Sequence, residues 1–302
     1  MKKVTLSAIL LTDAYKLSHH QQCPEGTSLV FSNFTPRGNK YASPVVQDLN
    51  GVVVFGVQLA LKKLVEHFDE NFFFTEERES LNNPNASQFQ YALNQGELLK
   101  LRESAITPIK VVLDNFFQTD YAMTHFEKLW DLGYLPLEIR ALEEGILCPI
   151  KVPMLTIYNT LPEFFWLPNF LETILSQFLW KPMTSATIAL AYKKILTKWA
   201  NKTNPEAIEF VNWQGHNFSM RGLDSIEATV AVGLGHATSF YGEDSMPTTW
   251  GAAHYYNDPT AIMGSVPATE HSVACAFLQY APTQVEEKWD EEKQDWIPVR
   301  YF

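Results

Sequence analysis

From about Ala207 the sequence settles into a rhythm of strand-like run, loop and helix-like run. The three repeats are "AIEFVNWQG" then "SIEATVAVGLG", "HATSFYG" then "MPTTWGAAHYY", and "GSVPATEHS" then "VACAFLQY". Such alternation predicts parallel strands with crossover helices, and in that architecture ligands sit at the carboxyl ends of the strands. The residues to watch are therefore 216–221, 242–244 and 265–271. A series of about three units is short of the eight that close a barrel. The expectation is α/β, with a barrel left incomplete over residues 181–302.

Residues 1–180 read as an α+β amino-terminal domain. "LTDAYKLSHHQQCP" looks like a short helix capped by Thr12 or Asp13, and "TSLVFSNFT" is a strand candidate. "GVVVFGVQLALKKLVEHF" reads as a buried strand passing through Gly56 into a helix. Between about residues 72 and 110, "NNPNASQFQYALNQGELLKLRES" is polar and amide-rich, as expected of a surface excursion or variable insertion. A helix over "YAMTHFEKLWDLGYLP" and two strand-like runs, "LEIRALEEGIL" and "VPMLTIYNT", follow. "LPEFFWLPNFLETILSQFLW" and "SATIALAYKKILTKWA" are then expected as two helices linked at Pro182, forming an interior or an oligomer face. The closing "TQVEEKWDEEKQDWIPVRYF" is acidic, with two tryptophans, and suits a β-hairpin.

Charge narrows the partners. Asp and Glu outnumber Lys and Arg by 34 to 23, which disfavours nucleic acid and anionic lipid. Any phosphate-bearing ligand needs local Arg, Lys or backbone N–H groups. The three cysteines are far apart and odd in number, so neither a disulfide framework nor a cysteine zinc site is expected. No signal peptide or membrane span is read at the start, and a cytoplasmic location is the expectation.

Several constellations carry potential chemistry, each with a plainer alternative. In "GHNFSMRG", flanking glycines let backbone approach a ligand, while His216, Phe218 and Arg221 offer a hydrogen-bonding ring, a flat apolar face and a fixed cation. The same string also suits a loop with a packed Phe and a surface Arg. In "YGEDS", Asp244 is either an acceptor for an amide N–H or a helix cap. His271 in "SVPATEHS" is a general base, a phosphoryl acceptor or an ordinary helix-start histidine. Tyr15 in "TDAYK" and Arg37 in "TPRG" are an aromatic face and a phosphate fork, or packing and surface. There is no GxxxxGK[ST] loop, no GxGxxG after a strand, no GxSxG elbow and no HExxH pair. No metal ligands are assigned.

Taken in order, "TDAYKLSH", "PEFFWLPNFLETIL", "HNFSMRG", "YGEDS" and "SVPATEHS" resemble the nicotinamide phosphoribosyltransferase family, from about Leu10 to Ser272. The resemblance implies a type II phosphoribosyltransferase: an irregular α/β barrel with a sheet-rich and helical domain, working as a homodimer. It implies nicotinamide stacked between Phe218 of one subunit and Tyr15 of the other, with Asp244 accepting from the carboxamide. Arg221 and Arg37 would hold phosphate, His216 and Asp13 would support the pocket, and Ser265, Val266 and Ala268 would line its floor. His271, oriented by Glu270, would be the residue phosphorylated by ATP, and Mg2+ would neutralise the pyrophosphate leaving from phosphoribosyl pyrophosphate.

The string RPDSG and the glycine-rich phosphate loop expected of the family's second half do not occur. The chain therefore reads as the amino-terminal portion of such a transferase. The expected product is nicotinamide mononucleotide, in NAD salvage. The alternatives are one chain of a split enzyme with a second chain supplying the other half, a non-catalytic remnant, or a nicotinate phosphoribosyltransferase.

Overall fold

The computed structural model describes residues 6–82, 84, 86–280 and 286–299. Two compact units are present, one running through Met263 and one starting at Gly264. In the first, β5 (Leu155–Asn159) is flanked antiparallel by β1 (Phe31–Phe34) and β3 (Leu137–Ala141). β2 (Gly51–Val53) pairs antiparallel with β4 (Leu147–Pro149). The α-helices along this unit begin with α1 (His19–Gln22), α2 (Pro44–Gln47), α3 (Val57–Phe68), α4 (Thr75–Leu81), α5 (Gln88–Phe117) and α6 (Thr124–Leu132). They continue with α7 (Leu167–Phe170), α8 (Glu172–Thr203), α9 (Val211–Gln214), α10 (Ile226–Ala237) and α11 (Pro247–Tyr256).

The turn from β2 into α3 is made at Gly56, whose φ of 82° is left-handed and costs a glycine nothing. The α3 amino terminus is satisfied from a distant loop: Glu144 accepts from Gly56 N at 3.1 Å and from Gln58 N at 2.7 Å. A carboxylate there both fills orphan donors and complements the helix dipole. α3 then buries Val57, Leu59, Ala60, Leu64 and Phe68 on one stripe. Phe68, Phe72, Phe126, Trp166 and Phe170 belong to the main core. Each fully buried Phe stabilises the fold by roughly 1.5–3 kcal/mol.

α8 is a single helix through Pro182, where the sequence predicted two helices and a link. The proline ring is seated rather than exposed. A Cβ on Gly56 would lie 2.5 Å from Pro182 Cγ, and one on Gly235 would lie 2.6 Å from the Pro182 carbonyl oxygen. Two side-chain-free positions thus admit the proline, and tertiary packing compensates for the hydrogen bond it removes. The domain boundary expected near residue 180 falls inside this helix. The amide-rich stretch lies at the surface as expected, but as a helix: from Gln88 onward it forms the first part of α5, mostly exposed as far as Ser104 and then anchored by buried Ala105, Ile106, Ile109 and Leu113.

The repeat after Ala207 contracts. "AIEFVNWQG" is not a strand; it forms a 3-10 segment, Pro205–Phe210, and then α9. Pro205 opens that turn with its fixed φ, and Lys193 of α8 donates to the Asn212 side chain and, at 2.7 Å, to Ser239 O, pinning the segment as a corner. Most of "HATSFYG" is the end of α10 and a turn. What survives is β6 (His216–Asn217) paired parallel with β7 (Gly242–Glu243), with α10 between them in sequence. Among the described residues this is the sole parallel pairing. The fold is mixed α/β.

The second unit holds α12 (His271–Tyr280) and the hairpin β8 (Glu286–Asp290) with β9 (Asp295–Val299). Trp289 stands opposite Trp296, with the rings T-shaped at 5.9 Å, as the tail's pattern anticipated. Residues 265–270, expected as a strand, carry no regular structure. Among the described residues no helix is long and apolar enough to cross a membrane.

Candidate functional site

The short parallel pair brings together two of the sequence-predicted groups. His216 stands opposite Gly242 and Asn217 opposite Glu243. The register places His216 Nε2 2.6 Å from Asp244 Oδ2. Phe218, the next residue but one, stacks on the His216 ring with centroids 4.7 Å apart. Its side chain is 63% exposed, so an aromatic face is open to solvent beside a carboxylate. An exposed aromatic next to a hydrogen-bond acceptor is suited to a flat ring bearing an amide. Arg221 follows in a 3-10 turn, Ser219–Gly222, and is exposed.

The approach of the two strands depends on missing side chains. A Cβ on Gly242 would lie 2.5 Å from His216 Nδ1 and 2.6 Å from Gly215 O. One on Gly215 would lie 2.4 Å from the Phe240 ring. Beneath the pair, Glu243 is 5% exposed, as is Asn217. Asn217 Nδ2 donates to both Glu243 carboxylate oxygens at 2.9 Å, and Ser245 N donates to Oε1 at 2.6 Å. Burial pushes the Glu243 carboxyl pKa up; hydrogen bonds from Asn217, Ser245 and Thr248 pull it back in part. His236, on α10, has its pKa lowered by burial and lies 3.3 Å from Gly215 O. A cavity of about 610 Å³ opens beside His216, walled by Trp180, Ile188, Tyr192, His236 and Phe240.

The amino-terminal candidates form a separate group. Asp13 precedes the 3-10 segment Ala14–Ser18 but makes no side-chain cap; its Oδ2 instead accepts from the Thr173 hydroxyl at 2.6 Å. Nor does Thr12 cap it, since its hydroxyl donates to Phe170 O. Both bonds are to the start of α8 or the residues just before it. Lys16, buried, pairs with Glu172. Tyr15 is 58% exposed and meets His19 edge-on. Arg37 is exposed and lines a cavity of about 780 Å³ together with Ser32, Asn169 and Glu172.

The remaining predicted residues lie in the second unit. Ser265, Val266, Ala268, Glu270 and His271 are all exposed, and His271 is the first residue of α12. The Glu270 carboxylate accepts from the Ser272 hydroxyl. Asn217, Gly242 and Glu243 lie within the stretches 216–221 and 242–244 that the sequence singled out, but no individual role was assigned to them. Their signal was slight: in "GED" the first two residues lie inside and the third at the rim.

Residues 7–83 match the family model for the nicotinamide phosphoribosyltransferase N-terminal domain. The chain is 40% identical over 264 residues to a nicotinamide phosphoribosyltransferase of Acinetobacter baylyi, covering 87% of this chain and 47% of that protein. It is 28% identical to one of Xanthomonas campestris, covering 89% and 49%. The crystal structure of human nicotinic acid phosphoribosyltransferase is similar at a TM-score of 0.49 and 15% identity, over 88% of this chain and 40% of that one. By sequence, then, this chain is a relative of the nicotinamide phosphoribosyltransferases, and it spans about half the length of the curated relatives it matches.

Proposed function

We propose that the chain supplies the nicotinamide-binding part of a nicotinamide phosphoribosyltransferase. The observation that carries the reading is the exposed Phe218 face stacked on His216, itself 2.6 Å from Asp244. In this reading the pyridine ring lies on Phe218 and Asp244 accepts from the carboxamide NH2. A carboxylate in that position repels nicotinate, so the acceptor selects the amide over the acid. The ring nitrogen then attacks C1 of phosphoribosyl pyrophosphate as the bond to pyrophosphate breaks, giving nicotinamide mononucleotide. Positioning of the two reactants supplies much of the acceleration.

The second aromatic, Tyr15, belongs to the other group. Asp13 is bound to Thr173, whereas His216 shares a cavity wall with Ile188 further along α8. The two groups are carried by different stretches of α8, Asp13 bound at its start and the His216 cavity walled by residues from Trp180 onward. This supports a homodimer in which one copy gives Phe218 and the other gives Tyr15, with Arg221 and Arg37 facing phosphate from the two sides.

Among the described residues no group of three or more His, Cys, Asp or Glu side chains is placed to hold a metal ion. Mg2+ commonly binds through one or two carboxylates plus substrate phosphates, so in this reading it would enter with phosphoribosyl pyrophosphate, and no step is routed through it here. His271 is exposed at the head of α12, open to a phosphoryl donor such as ATP. Completion of the catalytic site is assigned to a carboxyl-terminal half, in the same gene product or a second chain.

Calorimetric titration of the chain with nicotinamide and, separately, nicotinate tests the binding reading. Saturable binding of the amide with at least tenfold weaker binding of the acid is expected. Equal affinities, or none for the amide, would refute it. Nicotinamide mononucleotide formation on mixing the chain with a carboxyl-terminal half of a relative tests the activity.

A further inference from the structure

The geometry points to Glu243, acting through Asn217, as the positioning residue of this site: the buried amide–carboxylate pair fixes where Phe218, His216 and Asp244 stand. The partners are bonded to each other, and each also makes a bond that straddles a site residue. Asn217 Oδ1 accepts from Ser219 N at 3.1 Å, bracketing Phe218. Glu243 Oε1 accepts from Ser245 N at 2.6 Å, bracketing Asp244. Between them, Asn217 Nδ2 donates to both carboxylate oxygens, and the Asp244 backbone N–H donates to Asn217 O at 3.0 Å. The two turns that carry the site residues are thus clamped to each other by this side-chain pair together with the Asp244 N–H to Asn217 O backbone bond.

The cost of this clamp argues for its purpose. Glu243 is buried, and no Lys, Arg or His is among the groups that set its pKa. A buried carboxylate without a counter-charge opposes folding, and stability alone is served better by a neutral pair. What the carboxylate offers is two acceptor oxygens at a fixed separation, so that one Asn NH2 group is held by both and one oxygen is left to accept from Ser245. Charge-assisted bonds of this kind are shorter and stiffer than neutral ones.

The inference can be tested by exchanging the two functional groups. Glu243→Gln alone sets an amide NH2 against an amide NH2, and Asn217→Asp alone sets one carboxylate against another. In the combined Asn217→Asp/Glu243→Gln variant the donor and acceptor trade places, while both backbone N–H groups keep their acceptors. Two quantities are read on the full chain: the side-chain NMR resonances of His216 and Phe218 at fixed pH, and the nicotinamide dissociation constant. Thermal melting accompanies both.

Each single variant is expected to shift the His216 and Phe218 resonances and to weaken nicotinamide binding about tenfold or more, the double to return both to near the wild-type values. The affinity arm rests on the nicotinamide reading; the resonance arm does not. If wild type shows no nicotinamide binding while the resonances move and return as described, the nicotinamide reading falls and the positioning role stands. If both single variants fail to fold, the double decides: wild-type resonances support the clamp, and a folded double with displaced resonances overturns it. Folded single variants with wild-type resonances and wild-type affinity also overturn it.

Discussion

Gly242→Ala is the most direct perturbation of the strand pair. The added Cβ would sit 2.5 Å from His216 Nδ1 and 2.6 Å from the Gly215 carbonyl oxygen. Ordinary contact begins near 3.4 Å, so β6 or the imidazole must retreat by about 1 Å, on the order of the strain known to follow overpacking. A retreat of that size disturbs the 2.6 Å contact between His216 Nε2 and Asp244 Oδ2, for which a shift of about 1 Å is large. Two costs follow: about 1–3 kcal/mol of stability from overpacking, and about 1.5–3 kcal/mol of ligand interaction from a displaced charged acceptor. The second corresponds to roughly a 10- to 150-fold rise in the nicotinamide dissociation constant. Calorimetric titration and a denaturant melt measure both on the same preparation. Unchanged affinity in a variant that has lost stability would refute the argument, because it would mean that the strand spacing does not set the acceptor. Unchanged stability would show that the close approach is relieved without displacing the ring.

Asp244→Asn removes the negative charge while keeping an acceptor, and is expected to weaken nicotinamide about tenfold and narrow its margin over nicotinate; competitive calorimetry measures the ratio. Glu243 should appear in the pH dependence of stability. Its carboxyl pKa is raised in the fold, so the folded chain holds that proton above the pH at which the unfolded chain releases it. Stability is full below the ordinary carboxylate range and falls as pH rises through the raised value, and Glu243→Gln should remove that part of the slope in urea midpoints. His125 has the opposite sign. Burial and the neighbouring His20 lower its pKa to about 3, so below about pH 6.5 only the unfolded chain gains the proton and stability falls by up to about 1.4 kcal/mol per pH unit. His125→Phe should flatten that acid limb, the new ring taking over the packing against Phe126 and Trp166.

Local signals were legible where one residue type answers one geometric demand. Gly56 announced the turn from β2 into α3, and the spaced tryptophans announced the terminal hairpin. The helices α10, α11 and α12 followed their apolar runs. Patterns failed where tertiary packing overrides them. Pro182 looks like a break in sequence, and only the side-chain-free Gly56 and Gly235 around it allow the helix to run on. The amide-rich start of α5 hides a helix because its buried anchors, Ala105, Ile106, Ile109 and Leu113, come a full four turns later. "AIEFVNWQG" has the apolar spacing of a strand, yet Pro205 and the Lys193 tether make it a corner. At the site, Asp244 was visible because strand ends expose functional groups. Glu243 lay in the same stretch, but its role was not legible, since a buried acid beside an exposed one is indistinguishable in one dimension from a charged surface pair.

The seating of Pro182 also bears on how the first unit assembles. Gly56 lies at the start of α3, Pro182 within α8 and Gly235 within α10, and all three are widely separated along the chain. Each of these close approaches needs its own long loop to close and the complete seat needs both, so the knot rewards no early, local step. Refolding of this unit should therefore be slow relative to the formation of its individual helices. Substitution at Gly56 should slow refolding if the knot is already tied at the rate-limiting barrier, and should mainly speed unfolding if it is tied afterwards.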